Sequence, residues 1–194
     1  MVLLNAPKDP VVALPQAPSV TYVDAPGPEP TPGETTPAAP SPSRVAMPVP
    51  AGYQRVSGPN GLVTAIPQGW VVTRSSGPAA MQATDPTDPA RYVRYGGAPA
   101  PAAGLLESHL DYERTFAAAH PGFVRLSLGT TTYHGTQAVD WEFEHDLAGG
   151  GRRHAHSMYW RSGGVEFFIY AAAPAARWAE TEPVYDTLVD QTTP

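Results

Sequence analysis

Cysteine is absent from this 194-residue chain. That removes thiolate zinc sites, redox pairs, a nucleophilic thiol and a lipid-bearing cysteine. Lysine occurs once and arginine eleven times against eighteen acidic residues, a formal net charge of −6. Lacking any basic block, the chain has no electrostatic footprint for nucleic acid or for an anionic membrane surface. Met1 to Leu4 is a short apolar scrap, whereas a secretory signal needs a core of at least ~7 apolar residues. No run approaches the ~18 apolar residues of a membrane span, so direct membrane insertion is not expected. Catalytic signatures are equally scarce. There is no GxSxG elbow, and Gly149-Gly150-Gly151-Arg152-Arg153 lacks the lysine and hydroxyl of a P-loop. It reads as a hairpin tip.

Proline, by contrast, is abundant and unevenly spread. Thirteen of the 24 prolines precede Ala51. A backbone without donors favours extended polyproline II and cannot bury enough surface to fold alone. Residues 1–50 therefore read as a proline-rich disordered linker or stalk, and residues 51–194 as a single domain. Pro7-Lys8-Asp9-Pro10 and Pro37-Ala38-Ala39-Pro40 match PxxP, a pattern that arises by chance in such sequence. Val11, Val12, Leu14, Val20, Tyr22 and Val23 are more apolar than a spacer needs and are able to pack on the domain.

From Gly52 onward strand signals dominate. β-Branched and aromatic content between turn residues predicts strands near 53–56, 62–66, 70–74, 79–83 and 91–96. A helix follows near 102–119, with Leu105, His109, Tyr112, Phe116 and Ala119 on one stripe and Glu107, Asp111 and Arg114 facing away. Longer strands are expected near 123–132, 136–146, 153–162 and 165–172. Tyr133-His134-Gly135 and Ser162-Gly163-Gly164 mark tight turns. A last helix runs from about Pro174 to Asp190, where Pro183 predicts a kink or two shorter helices. In Val165 to Tyr170 both parities are apolar, as in a strand covered on both faces. The expected architecture is α+β: an antiparallel meander flanked by two main helices.

Several of these pieces together resemble a known family. They are Gly52-Tyr53 leading into Gly61-Leu62 and Ile66-Pro67-Gln68-Gly69-Trp70, then Tyr133-His134-Gly135-Thr136-Gln137-Ala138-Val139-Asp140-Trp141-Glu142. Arg153-His154-Ala155 and Trp178 complete the set. The pattern is similar to the PsbP-like domains of high-GC Gram-positive bacteria, borne on extracytoplasmic lipoproteins and on the outer portion of membrane serine/threonine kinases. It covers about residues 52–192. The resemblance implies an antiparallel sheet with flanking helices, an extracytoplasmic setting and no catalytic residues. The chain itself shows no signal, lipid-attachment cysteine, membrane span or kinase domain, so the setting rests on the resemblance, and a cytoplasmic one stays open.

The densest polar constellation runs from Asp140 to Asp146 and from Arg152 to His156. His154 and His156 share one strand face. Pairing of 144 with 154 would set Glu142 and Glu144 across from them. Two imidazoles and a carboxylate are enough to hold Zn²⁺ with an open position. The plainer reading is an exposed ladder of acid–base pairs, or, because Met158 and Trp160 continue the parity, part of the core. No cofactor is called for. The leading functional expectation is a non-enzymatic extracytoplasmic interaction or sensor domain on a stalk, its protein partner or small ligand unknown. The alternative is a metal-binding or metal-dependent hydrolytic protein.

Deleting residues 1–50 should leave the cooperative unfolding transition of residues 51–194 largely intact, because that composition sustains no core. A large fall in melting temperature on deletion would mean that Val11 to Val23 pack as an integral strand or clasp.

Overall fold

Turn chemistry sets the element boundaries. A computed structural model describes residues 48–75, 77 and 79–194. Residues 1–47 of the expected stalk, with their PxxP steps and the apolar residues from Val11 to Val23, lie outside the described residues. The described elements begin with β1 (Tyr53–Ser57) and β2 (Val63–Pro67), an antiparallel ribbon closed by the 3-10 turn Pro59–Gly61. There follow β3 (Val71–Arg74), β4 (Ala80–Thr84), β5 (Tyr92–Pro99) and α1 (Leu105–Ala119). The second half holds β6 (Val124–Tyr133), β7 (Thr136–Asp146), β8 (Arg152–Ser162), β9 (Val165–Pro174) and α2 (Trp178–Gln191). The β6–β7 turn puts His134 at φ 47° and Gly135 at φ 75°. Positive φ at both central residues matches the twist of the flanking strands, hence glycine at the second.

The main sheet is antiparallel in the order β3-β4-β5-β9-β8-β7-β6. This corrects the single meander read from the sequence. Two meanders, β3 to β5 and β6 to β9, meet where β5 pairs with β9. Alternating directions make β5 and β6 parallel, and parallel strands need a crossover. Four inter-strand steps span roughly 19 Å, and a helix of α1's length spans roughly 22 Å. So α1 carries the chain across the sheet and leaves β9 to close the gap. At the centre of seven strands, β9 is the strand whose two parities are both apolar.

Parity then sorts the core. Ile169, Ala171 and Ala173 face Trp178, Val184, Tyr185 and Leu188 of α2, together with Leu62 and Ile66 of the ribbon. On the opposite face, Ala172, Ala155, Trp141 and Phe143 pack with Phe116 of α1 and with Phe123. The carboxy terminus is pinned at the α2 side: Val63 and Thr193 exchange backbone hydrogen bonds, and the Tyr133 hydroxyl donates to Val189 O at 2.6 Å.

Both helices depart in detail from expectation. Across Pro183, α2 is a single helix, preceded by a separate 3-10 turn at Ala175–Arg177. Proline there removes one early helical bond, which burial of Tyr185 and Leu188 outweighs. On α1, Tyr112 is exposed at 42% and Ala119 is exposed, while Glu113 is buried at 3%. Glu113 turns inward because it has partners. Its carboxylate accepts from Trp141 Nε1 at 3.1 Å and from Arg125 Nε at 2.8 Å. That clamp ties α1 to β6 and β7.

Trp141 is 1% exposed and meets Tyr112 and Phe116 edge-on. Trp141→Ala should destabilise the domain by about 3–5 kcal/mol, the range for emptying a large aromatic site. A thermal melt within a degree of the parent would show that the indole does not hold α1 on the sheet.

Candidate functional site

The hairpin register is the one that brings the histidines and acids together: Glu144 pairs with His154 and Glu142 with His156. The side-chain contacts run both across and diagonally. His154 Nε2 lies 2.7 Å from Glu142 Oε1, and its Nδ1 lies 3.1 Å from Glu144 Oε1. His156 Nε2 lies 2.8 Å from Asp140 Oδ2. Arg152 Nε donates to Glu144 Oε2 at 2.5 Å, extending the chain of contacts to the hairpin tip.

This ladder is not a solvated surface. His154 stacks on Trp178 with ring centroids 4.0 Å apart, and His156 stacks on Tyr185 at the same separation. Helix α2 roofs the imidazoles, as the Met158 and Trp160 parity allowed. The ring nitrogens of His154 are directed at carboxylates, not at a shared central point. Among the described residues no three histidine or acidic side chains converge to hold a metal ion.

Enclosure shifts the acids. Burial alone would raise the Asp140 carboxyl, but hydrogen bonds from His156, Ser127 and Tyr185 outweigh it and hold the pKa below the ordinary aspartate value. The hydrogen bond from Arg152 does the same for Glu144, against a smaller effect of burial.

A second arrangement lies on the opposite face. Helix α1 packs over β6, β7 and β8, leaving the β3–β4–β5 half of its face without a helix. Register places Val71 and Thr73, Gln82 and Thr84, Tyr92 and Arg94, and Phe168 and Tyr170 on that half-face. The Tyr92 and Tyr170 rings stack at 6.0 Å. The Arg94 guanidinium lies 4.9 Å from the Tyr92 ring centre, and that of Arg153 lies 5.3 Å from it. Burial pushes the Tyr170 hydroxyl well above the usual tyrosine pKa, and neighbouring Tyr92 adds to this, although Arg153 and Arg94 oppose it. Sequence reading missed this cluster. Its signal was the alternation Arg91-Tyr92-Val93-Arg94-Tyr95, which puts Tyr92 and Arg94 on one side of a strand.

One hollow among the described residues, of about 310 Å³, is lined by Thr130, Thr131, Thr132, Gly135, Thr136 and Gln137, with no titratable group. A second, of about 560 Å³, lies between the ribbon turn and β4 and carries Arg74 as its single ionisable side chain. Neither assembles an acid, a base and a nucleophile.

Acid should test the enclosed ladder. A carboxylate whose folded pKa is depressed contributes stability that is fully present above its unfolded pKa. That contribution is lost as pH falls through the folded value. Asp140→Asn should therefore lower the urea midpoint at pH 7, with the deficit shrinking steadily below about pH 4. Parallel pH profiles for parent and variant would show that Asp140 is not held by these donors.

Residues 54–194 match the family described as the serine/threonine kinase C-terminal domain. No curated protein matches the chain. Among solved structures, cyanobacterial PsbP from Synechocystis sp. PCC 6803 superposes with a TM-score of 0.59 at 15% identity. The match covers 74% of this chain and 92% of that one. A Pseudomonas aeruginosa protein of unknown function, described as a putative regulator, gives 0.51 at 14% identity, over 73% and 96% of the two chains. These likenesses establish a PsbP-like fold. The family match, which takes in every strand and both helices, is to an accessory segment of kinases and not to their catalytic domain; the chain belongs to the serine/threonine kinase C-terminal domain family.

Proposed function

We propose that this domain is an extracytoplasmic interaction module that holds a protein partner against the uncovered half of its sheet, with residues 1–50 as the stalk. The observation that carries the reading is the unequal cover of the two faces. One face is roofed by α2 and the ribbon. The other is roofed over β6 to β8 and carries phenylalanine, glutamine and arginine side chains beyond, around the buried Tyr92. Aromatic and arginine side chains on a flat, partly apolar surface suit protein contact. Membership of an accessory kinase family supports a binding role over a catalytic one. The extracytoplasmic setting is supported by the PsbP-like resemblance and by the proline-rich composition of the first fifty residues. No described helix is long and apolar enough to cross a membrane, so this reading places the attachment to the membrane outside the described residues.

A photo-cross-linking residue in place of Thr73, on the uncovered half-face, should give a discrete adduct with another protein in the native cell. The same residue in place of Gly149, at the β7–β8 hairpin tip, should not. Absence of an adduct from position 73, or identical adducts from both positions, would overturn the reading.

A further inference from the structure

Six arginines of the described domain are ion-paired, whereas Arg74, Arg94 and Arg153 are not. Arg91 pairs with Asp85, Arg114 with Asp111, Arg125 with Glu113 and Arg161 with Glu166. Arg152 pairs with Glu144 and Asp146, and Arg177 with Asp88 and Glu180. Arg94 and Arg153 make no ion pair with any described carboxylate, although the chain carries a net charge of −6. Arg94 of β5 and Arg153 of β8 both lie against the Tyr92 ring, where the roofed strands border the open half-face.

Their donors are largely unspent. Arg94 Nε donates to Gln82 Oε1 at 2.8 Å, and Arg153 Nη1 donates to the Tyr92 hydroxyl at 3.1 Å. Arg153 Nε is buried and has no hydrogen-bond partner. A guanidinium offers five N–H donors in a fixed fork that matches carboxylate geometry. Two like charges held on one ring, with a buried donor unsatisfied, define a place where negative charge is missing.

We propose that Arg94 and Arg153 form a recognition site for an acidic segment of the partner, one carboxylate meeting each guanidinium over the tyrosine floor. The inference deepens the interaction reading above and rests on it. Spacing favours a peptide over a single phosphate. Both guanidinium carbons lie within 5.3 Å of the Tyr92 ring centre, so they stand no more than about 10 Å apart. Register sets Arg94 and Arg153 on opposite sides of Tyr92 along the strands, since Tyr92 pairs with Ala172 and Arg153 with Pro174. In an extended chain, side chains at i and i+2 share a face about 7 Å apart. Alternate acids on an extended segment therefore meet both forks at once, with an apolar residue between them turned away.

The test uses the full chain and a fluorescent peptide of alternating glutamate and valine, with its glutamine counterpart as control. Binding is read by anisotropy at low and moderate salt. The parent should bind the glutamate peptide at least tenfold more tightly than the glutamine peptide. Arg94→Gln/Arg153→Gln should lose that preference, whereas Arg74→Gln/Arg114→Gln, which removes the same charge elsewhere, should stay within twofold of the parent. Should the first variant fail to melt cooperatively, Arg94→Gln alone carries the test, with a loss of at least threefold expected. Equal losses in both double variants, or none in the first, would overturn the inference. So would a heparin oligosaccharide that binds more tightly than the peptide through the same two arginines. If the Thr73 adduct forms in the parent and persists in Arg94→Gln/Arg153→Gln, this inference falls and the interaction reading stands. No adduct in the parent removes the interaction reading whatever the peptide does.

Discussion

Strand β9 has water-excluding neighbours on every side, and the remainder of the domain is arranged to provide them. It pairs with β5 along one edge and β8 along the other. Ile169, Ala171 and Ala173 point one way and Ala172 the other, all fully buried. A strand that is apolar on both faces needs a layer on each. That requirement calls for α2 on one side, while on the other Ala172 is packed among Tyr92, Tyr170 and the aromatic cluster under α1. It also explains why the chain is cut into two meanders. The last strand to arrive takes the central position, and a helix must already have crossed the sheet to make room.

The two layers meet different demands. On the α2 side the roof covers polar groups as well as apolar ones, and it does so by stacking aromatic rings on imidazoles. Trp178 and Tyr185 enclose His154 and His156, whose nitrogens find Glu142, Glu144 and Asp140. A buried charge without a partner costs several kcal/mol; here the partners lie on the adjacent strand. On the α1 side Glu113 serves as a polar anchor between helix and sheet, shared by Trp141 and Arg125. The helix is too narrow to cover seven strands, so half the face stays open. Arginine and tyrosine occupy that half, the guanidinium groups lying against the tyrosine rings.

Much of the fold was legible from residues alone. Nine strands and two helices follow from β-branched runs, period-2 alternation, glycine turns and one amphipathic stripe. The register of β7 against β8 followed from the hairpin. The family resemblance rested on those same turn, proline and tryptophan positions. These features are local, and local chemistry acts whatever the distant partner is. The strand order was not legible, because antiparallel pairing of β5 with β9 joins segments some seventy residues apart and leaves no mark in either.

The candidate sites divide along the same line. The sequence placed Glu142, Glu144, His154 and His156 near each other, since two paired strands suffice for that. Only the tertiary structure decided that α2 would roof them, because enclosure depends on where a helix thirty residues later comes to rest. Glu113 is buried because Trp141 and Arg125 supply donors from other strands. The pairing of Arg94 with Arg153 over Tyr92 has no counterpart in the sequence, where they lie on separate strands. Their lack of acidic partners is a property of three-dimensional neighbourhood, set by strand order and by the limited reach of α1, and a linear sequence does not record which charges end up alone.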